Sequence, residues 1–242
     1  MKILTGKAVK PRRTFLYGVE GIGKSSWANQ APATLFLNIE DGLNDIDCKR
    51  TEHITSLEQF DAAMLYLAND KHDFQNVAID SADWLEGIIH GEVAKAAGKK
   101  SISDIGFGAG YKSALSYWDK ILFRLDWLRN ERGMGIIFLA HSAVKRHQDP
   151  EQDSYDRYTP ALHDTASAMI REWCDEVLFA SYRVYIRKED QGFGKERAVA
   201  MGNAERFVRT QETAACLAKN RLGMPSEIEF SWSAYASFFA KG

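Results

Sequence analysis

The sequence predicts an α/β domain in which a mostly parallel central sheet is flanked by helices. Four short apolar runs alternate with longer segments of helical periodicity, and this alternation is typical of successive β-α-β units. A glycine-rich motif directly follows the first run and precedes a candidate helix, which is the strand-turn-helix context of phosphate-binding loops. The four predicted strands are Thr14 to Tyr17, Thr34 to Ile39, Asn76 to Ile79 and Gly135 to Ala140.

Hydrophobic spacing predicts the helices that connect these strands. Over Ser56 to Asn69, apolar side chains recur at three- and four-residue intervals and therefore share one helical face. They are Leu57, Phe60, Met64 and Leu67. Further helices are predicted over Ser25 to Gln30, Asp83 to Ala97, Tyr111 to Asn130 and Ala166 to Glu172. The longer helices are expected to cover the faces of the sheet.

The chain after Ala140 no longer shows the alternation of apolar runs and helical periodicity seen before it. His147 to Pro160 is polar, charged and interrupted by Pro150, which predicts a long surface loop. Strand-like segments then predict an antiparallel extension of the sheet, and the aromatic stretch from Phe230 to Phe239 predicts a short amphipathic helix. The strand-like segments are Glu176 to Arg187, Arg197 to Met201 and Glu205 to Thr210. We expect one domain over 1–242, with a core over about 12–182 and a β-rich extension over about 183–242.

Composition narrows the class of protein. The 242 residues are 45% hydrophobic and 26% charged, as in an ordinary globular domain, and a net charge of -2 gives no global positive field. Any DNA contact must therefore come from a local basic patch. The three cysteines, Cys48, Cys174 and Cys216, are odd in number and form no CxxC pair, which favours a reducing cytoplasm. Neither a signal peptide nor a membrane-spanning apolar run is present, so we expect no membrane partner.

The segment Gly18 to Ser25 matches the phosphate-binding pattern GxxxxGK[ST] in full. Its glycines allow backbone N–H groups to point into the loop, and the following helix N-terminus adds positive potential. We expect Lys24 to contact the β- and γ-phosphates of ATP and the Ser25 hydroxyl to bind Mg²⁺. The expected nucleotide-binding residues are Gly18, Val19, Glu20, Gly21, Ile22, Gly23, Lys24, Ser25 and Ser26.

Polar side chains follow three of the other predicted strands. The carboxyl ends of parallel strands open onto one crevice, so these side chains are expected near the γ-phosphate. Asp80 is the expected Mg²⁺ residue, acting through water. Glu40 is the candidate general base, with Asp41 as its rival and a simple turn before Gly42 as the alternative. His141 is the candidate γ-phosphate sensor, although a lone histidine at a strand end is often only a satisfied polar residue.

Together, the segments GVEGIGKS, IEDG, AIDS and AHS resemble the RecA-like P-loop NTPase core. The chain is more closely similar to phage-encoded RecA-like nucleotide-binding proteins, usually labelled AAA-family ATPases, that act in single-strand annealing or recombination. In RecA relatives a Glu ending the second core strand is the catalytic base, and a polar residue ending the fourth strand senses γ-phosphate. The resemblance thus implies these roles for Glu40 and His141, with His standing where RecA has Gln.

A second resemblance lies near the C-terminus. The segment Lys219 to Gly223, KNRLG, is similar to the KNRFG motif of the bacterial RadA helicase, with Leu222 in place of Phe. In that family the motif reaches the nucleotide of a neighbouring subunit. The resemblance implies that Lys219 and Arg221 act across the interface of a homo-oligomer, either a ring or a filament. A basic turn between strands is the alternative.

In RecA-like proteins, DNA-binding loops follow the metal-binding strand and the sensor strand. Basic residues interleaved with aromatic residues suit single-stranded DNA, because cations contact phosphates while rings stack on bases. Solvated surface charge explains such residues equally well. The candidate DNA-binding residues are Lys99, Lys100, Phe107, Tyr111, Lys145 and Arg146.

The leading hypothesis is therefore ATP hydrolysis coupled to single-stranded DNA in phage recombination, with a single-strand-binding protein as a further expected partner. Two alternatives stay open. One is a P-loop kinase that transfers phosphate to a small acceptor, and the other is a non-catalytic module whose assembly is switched by ATP.

Overall fold

The computed structural model describes residues 3, 5–6, 8–150, 153–190 and 196–239. Its strands are β1 (Arg13–Gly18), β2 (Thr34–Asn38), β3 (Lys49–Arg50), β4 (Asn76–Asp80), β5 (Gly135–His147), β6 (Tyr155–Pro160), β7 (Glu176–Asp190), β8 (Glu196–Arg209) and β9 (Glu227–Glu229). Its helices are α1 (Lys24–Ala28), α2 (Leu57–Asn69), α3 (Ala82–Ala96), α4 (Ala109–Glu131), α5 (Asp164–Trp173) and α6 (Trp232–Ala236). Two short 3-10 turns precede α4.

The strands form one mixed sheet in the order β3-β2-β4-β5-β1-β7-β8-β9, with β6 paired to β5. The first six strands of this order are mutually parallel. Strands β8 and β9 continue the sheet in antiparallel pairing after β7. The predicted fold class, a mostly parallel α/β sheet with an antiparallel C-terminal extension, is confirmed.

Helices cover both faces of the sheet. Along β1, Phe15 and Tyr17 point into a core formed with α2 to α5, whereas Leu16 points to the opposite core, which includes Trp27 of α1 and Tyr235 of α6. Because both faces are buried, the central strands are continuously apolar and give the short runs recognised in the sequence. None of the helices in the described part of the chain is both long enough and apolar enough to cross a bilayer.

The prediction of a long loop over His147 to Pro160 is wrong in part. Strand β5 continues past Ala140 to His147, and β6 pairs with it from Ser142↔Pro160 to His147↔Tyr155. Side chains on this part of β5 alternate between half-buried and exposed, so they lack the apolar run that marks a buried strand. The cross-strand pairs of this hairpin are mixed, with Val144 opposite Tyr158 and Arg146 Nη1 3.6 Å from Asp156.

The boundaries of the C-terminal elements also differ from the predictions. The segments expected at Arg197 to Met201 and Glu205 to Thr210 lie in the single strand β8, which ends one residue before Thr210. The aromatic helix is limited to Trp232–Ala236, where the Ser231 hydroxyl accepts a hydrogen bond from the Ala234 N–H and caps the first turn.

Candidate nucleotide-binding site

The glycine-rich loop connects β1 to α1 at the carboxyl edge of the sheet. A Cβ atom at Gly18 would lie 2.5 Å from the carbonyl oxygen of Ala180, so glycine is needed for β1 and β7 to pair this closely. Gly21 and Gly23 adopt φ values of 69° and 96°, which glycine accommodates without steric cost. The loop can therefore reverse direction and begin α1 directly at Lys24.

Lys24 lies inside this loop. Its side chain is 8% exposed, and Nζ is 3.4 Å from the carbonyl oxygens of both Gly18 and Val19. Burial lowers the pKa of Lys24, while the carboxylates of Glu40 and Asp80 act in the opposite direction. The result is a largely desolvated cation at the centre of the loop, which is suited to a phosphate group.

Ser25 and Asp80 form the oxygen pair expected for a magnesium site. The Ser25 hydroxyl donates a 2.6 Å hydrogen bond to Oδ2 of Asp80, which is 5% exposed. The pKa of Asp80 is raised to about 6, because burial and, to a lesser extent, the charge of Glu40 outweigh the opposing effect of this hydrogen bond. A hydroxyl and a desolvated carboxylate side by side fit Mg²⁺, which binds oxygen ligands directly or through its waters and would favour the ionised carboxylate.

Glu40, His141 and Asp83 form a second polar group beside this pair. Nδ1 of His141 lies 2.8 Å from Oδ2 of Asp83, and the His141 backbone N–H donates to Oδ1 of Asp83 at 3.1 Å. On its other side, Nε2 of His141 lies 3.4 Å from Oε1 of Glu40. The imidazole therefore links the two carboxylates.

The electrostatics of this group favour a protonated imidazole. The hydrogen bond that His141 donates to Asp83 raises the pKa of His141, while burial opposes the rise. Burial alone would raise the pKa of Asp83, but the hydrogen bond and charge of His141 lower it. The two shifts are the expected signs for an ion pair.

Sheet register brings these residues together. Gly18 pairs with His141 across β1 and β5, and Asn38 pairs with Asp80 across β2 and β4. The backbone N–H of Glu40 then donates to the Asp80 carbonyl oxygen at 3.0 Å. The polar residues that follow separate strands thus meet next to the glycine-rich loop, as parallel strands predict.

Asp41 occupies a different position from its neighbour. Its backbone is left-handed, with φ of 60°, and its side chain is exposed and accepts a 3.4 Å hydrogen bond from the Asn38 amide. Of the two candidate bases, Glu40 is the one whose carboxylate reaches His141.

Asp83 is a site residue that the sequence reasoning missed. It lies in the first turn of α3, where an acidic residue is already explained by the helix macrodipole. Only the three-dimensional contact with His141 distinguishes it from such a residue.

Lys219 lies away from the glycine-rich loop. Its Nζ donates to three carbonyl oxygens at the carboxyl end of α5, those of Arg171, Glu172 and Cys174, at 3.0, 2.8 and 2.7 Å. This is the interaction expected of a cation that caps a helix C-terminus. Within the chain, Lys219 therefore makes a structural contact.

Arg221 also lies at the opposite end of β7 from the glycine-rich loop. Its Nη1 is 3.3 Å from Oδ1 of Asp175, the residue before β7, and its side chain is 54% exposed. Asp175 also pairs with Arg13 and Arg129, at 3.0 and 3.4 Å. Three guanidinium groups therefore share this carboxylate on a partly exposed surface.

The candidate DNA-binding residues differ in their surroundings. Lys99 and Lys100 are exposed, and the Phe107 ring is fully exposed on a backbone with φ of 57°. Tyr111 instead stacks on His163, with ring centroids 4.2 Å apart.

The cations on the β5–β6 hairpin are paired with acidic groups. Nζ of Lys145 lies 2.7 Å from Asp164 and also donates to the Leu162 carbonyl oxygen, whereas Nη1 of Arg146 lies 3.6 Å from Asp156. These contacts weaken the interpretation of Lys145 and Arg146 as phosphate-binding residues.

The fold and the loop define a P-loop nucleotide-binding protein. The family model AAA_24, described as an AAA domain, matches residues 10–222, so the chain belongs to this AAA-domain family. Membership indicates a nucleotide-binding ATPase, a class that typically uses Mg²⁺. Comparison with curated proteins gives no match.

Proposed function

We propose that the protein binds ATP with Mg²⁺ in the P-loop and hydrolyses it with Glu40 as the general base. The observation that carries this proposal is the position of the Glu40 carboxylate, which lies 3.4 Å from His141 Nε2 and is joined through its backbone to Asp80. A carboxylate at this edge of the sheet can accept a proton from a water molecule that attacks the γ-phosphate.

The P-loop residues would bind the nucleotide. Lys24 supplies a buried cation for the β- and γ-phosphates, and the loop N–H groups supply hydrogen bonds. Ser25 and Asp80 would hold Mg²⁺, which when bound neutralises charge on the phosphate oxygens. Ser26 follows Ser25 in the first turn of α1 and is the last residue of the proposed nucleotide-binding segment.

His141 is proposed as the γ-phosphate sensor. Paired with Asp83, a protonated imidazole can donate its Nε2–H to Glu40 or to a phosphate oxygen, but not to both with full strength. Loss of the phosphate would therefore change the hydrogen bonding of a residue at the base of the β5–β6 hairpin. This arrangement gives hydrolysis a route to the rest of the molecule.

We further propose that the protein acts on single-stranded DNA in phage recombination or annealing and that it works as a homo-oligomer. The resemblance to RecA-like phage proteins supports this, together with the exposed Phe107 ring near Lys99 and Lys100 in the chain. A single-strand-binding protein is a proposed partner. For oligomers, the support is the exposure of Arg221 far from its own P-loop.

Phosphate release with Mg²⁺, measured with and without single-stranded DNA, tests these steps in order. Free phosphate in the absence of DNA supports hydrolysis, and an increase on addition of DNA supports the proposed substrate. Phosphate appearing on an added acceptor instead of in solution would favour a P-loop kinase. Tight ATP binding with less than one turnover per protein would favour an ATP-switched assembly module.

A further inference from the structure

Two side chains from β7 and β8 donate hydrogen bonds to backbone carbonyl oxygens of the P-loop. Tyr182 on β7 and Arg206 on β8 are direct cross-strand partners, so their side chains project from the same face of the sheet. The Tyr182 hydroxyl donates to the Gly21 carbonyl oxygen at 3.2 Å, and Arg206 Nη1 donates to the Ile22 carbonyl oxygen at 3.1 Å. Two consecutive P-loop carbonyls are therefore held by one cross-strand pair.

The packing of Arg206 keeps it against the loop. Its guanidinium lies 5.2 Å from the centre of the Phe230 ring, a cation–π distance. A Cβ atom at Gly23 would lie 2.9 Å from Arg206 Nη1, so the absence of a side chain there permits this close approach. The contact is immediately before Lys24 in the chain.

Holding these carbonyls fixes the direction of the neighbouring N–H groups. In a planar trans peptide the C=O and N–H bonds point in opposite directions. The bond from Arg206 to the Ile22 carbonyl therefore turns the Gly23 N–H away from the guanidinium. The hydrogen bond from Tyr182 to the Gly21 carbonyl oxygen similarly fixes the direction of the Ile22 N–H in the same peptide. The hydrogen bond that this N–H donates to the Val19 carbonyl oxygen is long, at 3.4 Å.

We infer that Tyr182 and Arg206 are positioning residues that hold the P-loop in the conformation that receives the phosphates of ATP. This inference rests on the proposed binding of ATP. Arg206 also adds a positive charge beside Gly23, the residue before Lys24, which favours the anionic ligand at a distance. The pair acts on binding through the loop backbone and needs no direct contact with the nucleotide.

Equilibrium binding of ATP and Mg²⁺ by calorimetry tests this inference in the full-length chain. Arg206→Ala should weaken binding roughly tenfold, because a charge-assisted hydrogen bond to the loop is lost. Tyr182→Phe, which removes only the hydroxyl, should weaken it by about threefold. Arg206→Lys retains the charge and one donor and should recover part of the loss. Added guanidinium ion at millimolar concentration should partly restore binding to Arg206→Ala, relative to equal potassium chloride.

Arg209→Ala is the matched control, because Arg209 is also on β8 but pairs with Glu227 at 3.6 Å. It should bind ATP like the wild type. If the wild type itself fails to bind ATP, the proposed function is wrong. If the wild type binds and Lys24→Ala does not, unchanged binding by Arg206→Ala overturns the inference alone. A purely structural role would give a different pattern. Arg206→Lys would lose as much ATP affinity as Arg206→Ala, guanidinium ion would not restore binding, and the nucleotide-free variants would melt at a lower temperature. That pattern also overturns the inference.

Discussion

Glu40 and Asp41 are adjacent carboxylates whose side chains have different surroundings, and this difference gives a direct test. Glu40→Gln should keep ATP binding but reduce phosphate release by roughly a hundredfold or more, because the amide preserves shape and cannot accept a proton. Asp41→Asn, which alters the exposed neighbour, should retain nearly full turnover. The reverse pattern in steady-state rates would assign the base to Asp41.

Lys24 is the buried cation of the loop, so its loss should act on binding itself. Lys24→Ala should weaken ATP binding by roughly a hundredfold, because charge-assisted contacts to two phosphates disappear. Lys95→Ala is a suitable comparison, since Lys95 lies on α3 with a 77% exposed side chain. Calorimetry should show normal affinity for that variant, and normal affinity for Lys24→Ala would mean that the motif does not bind ATP.

Glu86 is a buried carboxylate outside the nucleotide site. Its Oε2 accepts a hydrogen bond from the His163 N–H at 2.9 Å, while Oε1 is buried without a hydrogen-bond partner among the described residues. Burial raises the pKa of Glu86 to about 7, against the effect of that hydrogen bond. Between the ordinary glutamate pKa and 7, the folded state therefore binds a proton that the unfolded state has released.

This difference predicts how stability depends on pH. The free energy of unfolding should fall as pH rises from about 5 to 8, by on the order of 1 to 3 kcal/mol from this group. Asp80, whose pKa is raised to about 6, and His141, whose pKa is also raised, change stability in the same direction. The free energy of unfolding of Glu86→Gln in urea should therefore fall less steeply with pH than that of the wild type, with the remaining slope due to Asp80 and His141. A slope equal to that of the wild type would exclude Glu86 as its source.

At the scale of elements, the parallel core could be predicted from sequence because burial on both faces leaves a continuous apolar run in each strand. The β5–β6 hairpin could not, since its exposed positions mix apolar with charged residues, as at Val144 and Arg146, and its cross-strand contacts lie in neither strand alone. Burial in β6 is confined to Thr159 and Pro160 at its end, which is too short to give an apolar run. Local pattern therefore identified the strands of the parallel core and of the antiparallel extension but missed the β5–β6 hairpin.

The residues of the nucleotide site also divide into those that the sequence predicts and those that it does not. The P-loop and the residues ending parallel strands could be predicted, because a motif or a topological rule places them. Asp83, Tyr182 and Arg206 are placed by contacts between distant segments, and nothing in the neighbouring sequence marks them. Lys145 and Arg146 show the converse, since a basic pair that suggested DNA binding is engaged by acidic side chains.

The segment between α3 and α4 carries the remaining candidate DNA contacts. Reversing both lysines, Lys99→Glu and Lys100→Glu, should weaken single-stranded DNA binding and reduce the salt slope of the logarithmic affinity by about 1.4, roughly 0.7 per phosphate contact. Fluorescence anisotropy over a range of salt concentrations measures this slope. ATPase activity without DNA should persist, and an unaltered slope would place the DNA surface elsewhere.

At the scale of the whole molecule, Arg221 lies at the end of the sheet opposite the P-loop of the same chain, so the proposed role at a nucleotide requires a second subunit. Lys24→Ala and Arg221→Ala should each be inactive alone, because one lacks the phosphate-binding lysine and the other lacks the added cation that the transition state requires. Mixed oligomers should recover phosphate release, since some interfaces join an intact P-loop to an intact arginine.

The control mixes Lys24→Ala with the double variant Lys24→Ala/Arg221→Ala, which provides no intact P-loop and should stay inactive. Light scattering establishes that the variants assemble together. Absence of recovery despite proven co-assembly would restrict Arg221 to its ion pair with Asp175.

The two strands that flank β1 both extend well beyond it. Pairing with β1 stops at His141 in β5 and at Ala180 in β7, yet β5 continues to His147 and β7 to Asp190. The roughly ten residues from Ala180 to Asp190 span about 33 Å at 3.3 Å per residue, so a tilt of about five degrees at Gly18 displaces the end of β7 by about 3 Å. The P-loop therefore begins at the point where β5 and β7 continue without β1 between them. A small change in the angle of either strand at this point moves its far end by about the width of an atom.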